Sequence, residues 1–142
     1  MNKKDEILRC ALEIVSLKGM DALTLNSLSE AVGLSKASMY HYFSSKEEII
    51  SQMLDMGHRN IMKNGFLLDL SGEPKDVLEK AAEKWENMFL DEDNWHFLRA
   101  VFSLHLSFPK AQDEYRSLFL MLSSQASVII SREKPYWFVH LS

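Results

Sequence analysis

Residues 24–48, TLNSLSEAVGLSKASMYHYFSSKEE, leave this chain few ways to fold. Leu25, Leu28 and Val32 lie on one face at helical spacing, and Gly33 then breaks the run. Glycine suits that place because a turn between crossed helices often needs a positive φ, which glycine adopts at almost no cost. Ser35 is placed to cap a second helix, whose Met39 and Phe43 repeat at i and i+4 and face inward. Lys36, Ser38 and His41 are left pointing outward. A short helix that presents small polar, basic and aromatic side chains, braced by a helix behind it, suits entry into a DNA major groove. The turn glycine, the cap and the outward polar set coincide, which favours a helix-turn-helix over a generic helical hairpin.

The same residues resemble the DNA-binding head of the tetracycline-repressor (TetR) family. The signature of that family runs T-x-x-x-[LI]-[AS]-x-x-x-G-[VL]-S-x-x-[ST]-[LM]-Y-x-[HY]-F-x-x-K-E-E-[LI]. Thr24, Leu28, Ser29, Gly33, Leu34, Ser35, Ser38, Met39, Tyr40, Tyr42, Phe43, Lys46, Glu47, Glu48 and Ile49 fall in register with it. The preceding DEILRCALEIVSLKGMDALTL resembles the first helix and turn of the family. The motifs are specific over residues 1–50; beyond that the family shares architecture more than sequence.

Residue by residue, the resemblance implies that Asn26, Lys36, Ala37 and His41 face base edges. Lys36 would donate to guanine, and the Ala37 methyl would touch a thymine methyl. Thr24, Ser38, Tyr42 and Lys46 would hold phosphates, which sets register rather than sequence. Tyr40 would do either or pack, and the cap Ser35 belongs to the same DNA-facing set.

Charge pulls the other way. The chain carries −4 overall, and residues 1–50 hold six basic and seven acidic side chains. Non-specific affinity scales with the phosphates neutralised by Lys and Arg. Weak binding to random DNA is therefore expected, with dependence on a dimer, on backbone donors and on a matched operator.

The rest of the chain reads as successive helices, so the expected class is all-α. An apolar stripe of Ile7, Leu8, Ala11, Leu12, Ile14 and Val15 predicts a helix over 3–18, ended by Gly19. Ser45 and Glu48 form a capping box for a long connecting helix that carries Ile49, Ile50, Met53, Leu54, Met56 and Ile61. Gly57 inside that helix reads as close packing against a neighbour. After the SGEP loop at 71–74, Val77, Leu78, Ala81, Trp85, Met88 and Phe89 make the next stripe. Further helices are expected over 95–106 and 110–132. The organisation predicted is a helix-turn-helix head, residues 1–48, joined through the connecting helix to an effector-binding and dimerisation body, residues 49–142.

Chemistry of other kinds has no footing in the sequence. The five histidines show no i+3 or i+4 pairing with one another, and Glu92 with His96 alone makes a poor metal site. Cys10 reads as a small core residue, and a single cysteine suits a reducing cytoplasm. No secretory signal or membrane span is expected, and no cofactor, metal or enzymatic activity.

The resemblance further implies a cavity in the body for a small effector. Trp85, Met88, Phe89, Trp95, Phe102 and Phe119 are the candidates for an aromatic and Met-rich lining that suits a flat apolar molecule. It also implies that the chain lacks the two long helices with which relatives pair. A homodimer is then expected through the faces of 95–106 and 110–132, with the apolar segment 136–139 buried against the body or a second copy. The reading is a sequence-specific DNA-binding transcriptional regulator. It would be a repressor released from a palindromic operator by an apolar effector. The alternative is a truncated interaction protein that binds no DNA and pairs with a full-length relative.

Overall fold

A computed structural model describes residues 2–65 and 68–132, and every regular element among them is helical. α1 (Lys3–Lys18) is followed by a 3-10 turn (Met20–Ala22), α2 (Leu25–Val32), α3 (Lys36–Met39), α4 (Lys46–Gly65), α5 (Pro74–Leu90), α6 (Glu92–Leu104) and α7 (Pro109–Arg132). Asn2 caps α1 by accepting the Asp5 amide at 2.8 Å, and Gly19, at φ 87°, ends it. Asp91 caps α6 through the Asn94 amide at 2.9 Å, so that helix begins at Glu92, three residues before the expected start. No described helix is long and apolar enough to cross a membrane.

One core runs through the described residues. Ile7, Ala11 and Val15 of α1 meet Leu28 of α2, Met39 of α3, Ile50 and Met53 of α4 and Phe97 of α6, all essentially without solvent contact. Each of the larger of these side chains contributes about 1.5–3 kcal/mol by leaving water. α4 and α6 cross closely at Gly57, where a Cβ would lie 2.2 Å from Cδ2 of Phe97. The glycine therefore works as a notch that seats an aromatic ring, and its cost to helix propensity is offset by that packing.

Polar bridges join α1 and α4 to the later helices. Arg9 of α1 donates to Asp93 of α6 from Nη2 at 2.9 Å and from Nε at 3.3 Å. That carboxylate holds the guanidinium above its ordinary range. From α7, the Lys110 ammonium meets Asp55 and the Ser51 hydroxyl of α4, each at 2.7 Å, and Glu114 meets His58 Nδ1 at 2.6 Å.

The body departs from its sequence pattern on one side. Val77, Ala81 and Met88 are buried, whereas Leu78 and Phe89 are 43% and 45% exposed. The stripe on α5 is thus wider than the surface that α4, α6 and α7 offer it. Cys10 is half-buried and packs against the core as expected, and burial pushes its thiol up. The apolar segment 136–139 lies outside the described residues.

Candidate nucleic-acid interface

The helix-turn-helix is built by reciprocal hydrogen bonds at each corner. Thr24, in extended backbone, accepts the Ser27 amide at 3.0 Å, and the Ser27 hydroxyl accepts the Thr24 amide at 3.0 Å. This is a capping box with serine at the third helical position, satisfying two amides at the start of α2. At the other end Gly33 sits at φ 76°, ψ 29°. The amides of Gly33 and Leu34 both donate to the Ser29 carbonyl, at 2.8 and 3.1 Å. A Cβ at that left-handed position would be strained, which is why glycine occupies the turn.

Ser35 then caps α3, accepting the Ser38 amide at 3.1 Å and donating its hydroxyl to Ser38 Oγ at 2.9 Å. α3 itself is a single turn, and the chain continues to Phe43 by tight turns. His41 and Tyr42 amides reach back three residues, to Ser38 and Met39. Met39 and Phe43 are buried at 1% and 3%, anchoring the recognition element at both ends.

The remaining candidates for DNA contact lie mostly at the surface. Thr24 and Asn26 at the start of α2 are exposed, as are Ser35, Lys36, Ala37, Tyr40, His41 and Tyr42, while Ser38 is half-buried. Tyr40 stands 58% exposed, so it does not pack into the core. Lys46 is half-buried and its ammonium bonds the Met20 carbonyl at 3.4 Å, tying the start of α4 to the turn after α1. Two ammonium protons are left for a phosphate. All ten sequence-derived DNA candidates thus belong to α2, α3, their caps, the turn after α3 or the first residue of α4.

One expected cap is built differently. Ser45 accepts the Glu48 amide at 3.1 Å, but the Glu48 carboxylate passes over Ser45 to the amide and hydroxyl of Ser44, at 2.6 and 2.5 Å. Those bonds hold the Glu48 carboxyl below the usual carboxylate range. Ser27 as the partner of Thr24 is absent from the sequence reading, although its place at the third helical position is an available signal.

The effector candidates do not form one site. Phe89 of α5, Phe102 of α6 and Phe119 of α7 share an open apolar groove of about 250 Å³ with Leu98, Val101, Tyr115, Leu118 and Leu122. Met88 is buried in the core. Trp85 donates its ring N–H to Gln125 at 3.0 Å, and Trp95 lies under the Arg99 guanidinium at 4.9 Å. No cluster of His, Cys, Asp or Glu able to hold a metal occurs among the described residues.

This geometry has known counterparts. Residues 7–53 match the profile of bacterial regulatory proteins of the tetR family. The chain is 26% identical over 87 residues to the HTH-type transcriptional repressor KstR2 of Mycobacterium tuberculosis. It is 38% identical over 52 residues to the biofilm operon negative transcriptional regulator IcaR of Staphylococcus epidermidis. The matched stretches cover 61% and 37% of this chain but only 39% and 28% of those proteins, so it spans well under two thirds of the curated relatives it matches. In three dimensions it is similar to the TetR family transcriptional regulator PfmR of Thermus thermophilus. The TM-score is 0.72 at 27% identity, over 94% of this chain and 72% of that one.

Proposed function

This chain belongs to the TetR family of bacterial regulatory proteins, and on that premise we propose that it is a sequence-specific DNA-binding transcriptional repressor. The observation that carries the reading is the capped, glycine-turned pair α2–α3, with Met39 and Phe43 buried beneath an exposed set of Lys36, Ala37, Tyr40 and His41. Curated relatives that share the head are repressors or negative regulators, which supports the sign of the regulation.

Residues 1–48 act as the DNA-binding unit and residues 49–142 as the regulatory one. Two heads in a dimer would meet two half-sites of a palindromic operator. Phe102 of α6 and Phe119 of α7, 65% and 63% exposed, with Leu106, 88% exposed in the turn between those helices, support docking of a second copy on this side. Docking there would roof the groove of Phe89, Phe102 and Phe119 and make an enclosed seat for an apolar effector. Such an effector shifts the DNA-binding equilibrium by its differential affinity for the two arrangements of the heads.

The test separates base contacts from phosphate contacts by titrating a duplex selected from a random library against an unselected one. Lys46→Ala weakens both and lowers the salt slope by about 0.9 for each phosphate that is no longer neutralised. Lys36→Ala loses about 1–3 kcal/mol of discrimination at one base position and leaves the unselected duplex nearly unchanged. Equal losses on both duplexes in both variants contradict the assignment. A pure, folded chain that retards neither duplex contradicts the DNA-binding reading itself.

A further inference from the structure

The acidic balance of the head raises the question of which cations are placed to reach DNA. Arg9 is held by Asp93 of α6, on the side of α1 that faces the body. Lys18 lies at the far end of α1, beside Ala22, Ser27, Glu30 and Ala31. Lys3 is paired with Glu6 at 2.9 Å, and that carboxylate raises its ammonium above the ordinary range. Lys36 and Lys46 are the two cations already assigned to DNA.

Lys4 is placed differently. Its Nζ stands over the Phe43 ring, 5.3 Å from the centroid. The ring belongs to the last residue of the recognition element, directly after Tyr40, His41 and Tyr42. The first turn of α1 therefore abuts the end of the recognition element, and the influence of Tyr42 on Lys3 reports the same proximity. Among the nearby acids, Glu48 feels the Lys4 charge. Its carboxylate is already engaged by the Ser44 amide and hydroxyl and by Gln52 Nε2 at 2.9 Å. A cation seated on an aromatic face, with the neighbouring carboxylate committed elsewhere, is held in place yet can still donate its N–H groups.

We propose that Lys4 is a phosphate contact of the head, clamping the DNA backbone from α1 at the end of the recognition element, on the strength of the DNA-binding reading above. The ring of Phe43 fixes the ammonium, and a backbone phosphate flanking the groove entered by α3 completes its shell. This adds one neutralised phosphate per head to the one assigned to Lys46, and it carries no base preference.

The experiment measures the salt dependence of affinity for a library-selected and an unselected duplex, for the wild-type chain, Lys4→Met and Lys4→Arg. Lys4→Met keeps an apolar stem over Phe43 and removes the charge; thermal melting by circular dichroism checks that the head stays folded. The expected result is a slope lowered by about 0.9 per head for Lys4→Met, an equal fold-loss on both duplexes, and restoration by Lys4→Arg. A folded Lys4→Met with the wild-type slope overturns the inference while leaving the DNA-binding reading intact. A loss confined to the selected duplex also overturns it, because Lys4 would then touch a base. Should Lys4→Met melt early, Lys4→Gln takes its place, with the same slope deciding. A wild-type chain that binds neither duplex overturns the inference together with the reading it rests on.

Discussion

The head and the body of this chain differ in where their apolar side chains go. In the head, Leu28, Val32, Met39 and Phe43 are buried, and the exposed aromatics are Tyr40 and Tyr42, which carry hydroxyls for a polar partner. In the body, Phe89, Phe102, Phe119, Leu106 and Leu120 are exposed with no polar handle. The head buries its apolar side chains in the core it shares with the body and turns a hydrogen-bonding face outward. The body uses one side of α5, α6 and α7 for the core and presents a second apolar side to whatever covers it.

Substitutions on the two sides break this comparison or sharpen it. Leu28→Ala, at a position 1% exposed in the head, is expected to cost about 2–5 kcal/mol in denaturant unfolding and to abolish DNA binding. Phe119→Ala, 63% exposed in the body, is expected to leave monomer stability within about 0.5 kcal/mol and to weaken self-association in sedimentation. A Phe119 variant as unstable as the Leu28 one would mean that the body face is core rather than contact surface.

Gly57→Ala probes the joint between the regions. Its Cβ would overlap the Phe97 ring, so overpacking is expected to cost about 1–3 kcal/mol, more than the roughly 1 kcal/mol alanine adds in helix propensity. An unchanged melting temperature would show that α4 and α6 do not lock at this notch.

A smaller effect is expected at the start of α4. Ser44 holds the Glu48 carboxyl below its ordinary 4.5. Folded Glu48 thus releases its proton more readily than unfolded Glu48. Its contribution to stability is present above the unfolded value and is lost as pH falls through the lower folded value. Glu48→Gln should narrow the gap to wild type progressively under acid, measured by urea unfolding from pH 6 downward. A gap that widens in acid would reverse the assigned direction.

The same division decides what could be read from the sequence. Gly33 and Ser35 act within three or four residues of themselves, so that turn and that cap are visible as local pattern. Close packing at Gly57 was legible, but Phe97 as its partner was not, because forty residues separate them. The pairs His58–Glu114 and Lys110–Asp55 were invisible for the same reason: each exists only once α7 lies along α4. Periodicity on α5 showed which residues share a stripe but not how much of it the neighbouring helices would cover. That is why Leu78 and Phe89 stand exposed. At Glu48 the capping pattern was legible, yet the reach of the side chain let Ser44 compete with Ser45.

The central claim is that α3 and its flanking residues read DNA sequence. Its most direct test is one titration of the wild-type chain, at about 150 mM salt, against a library-selected duplex and its scrambled counterpart. The account predicts tighter binding to the selected duplex by at least about a thousandfold, the range of specific regulators. A ratio near one in the folded protein would contradict it.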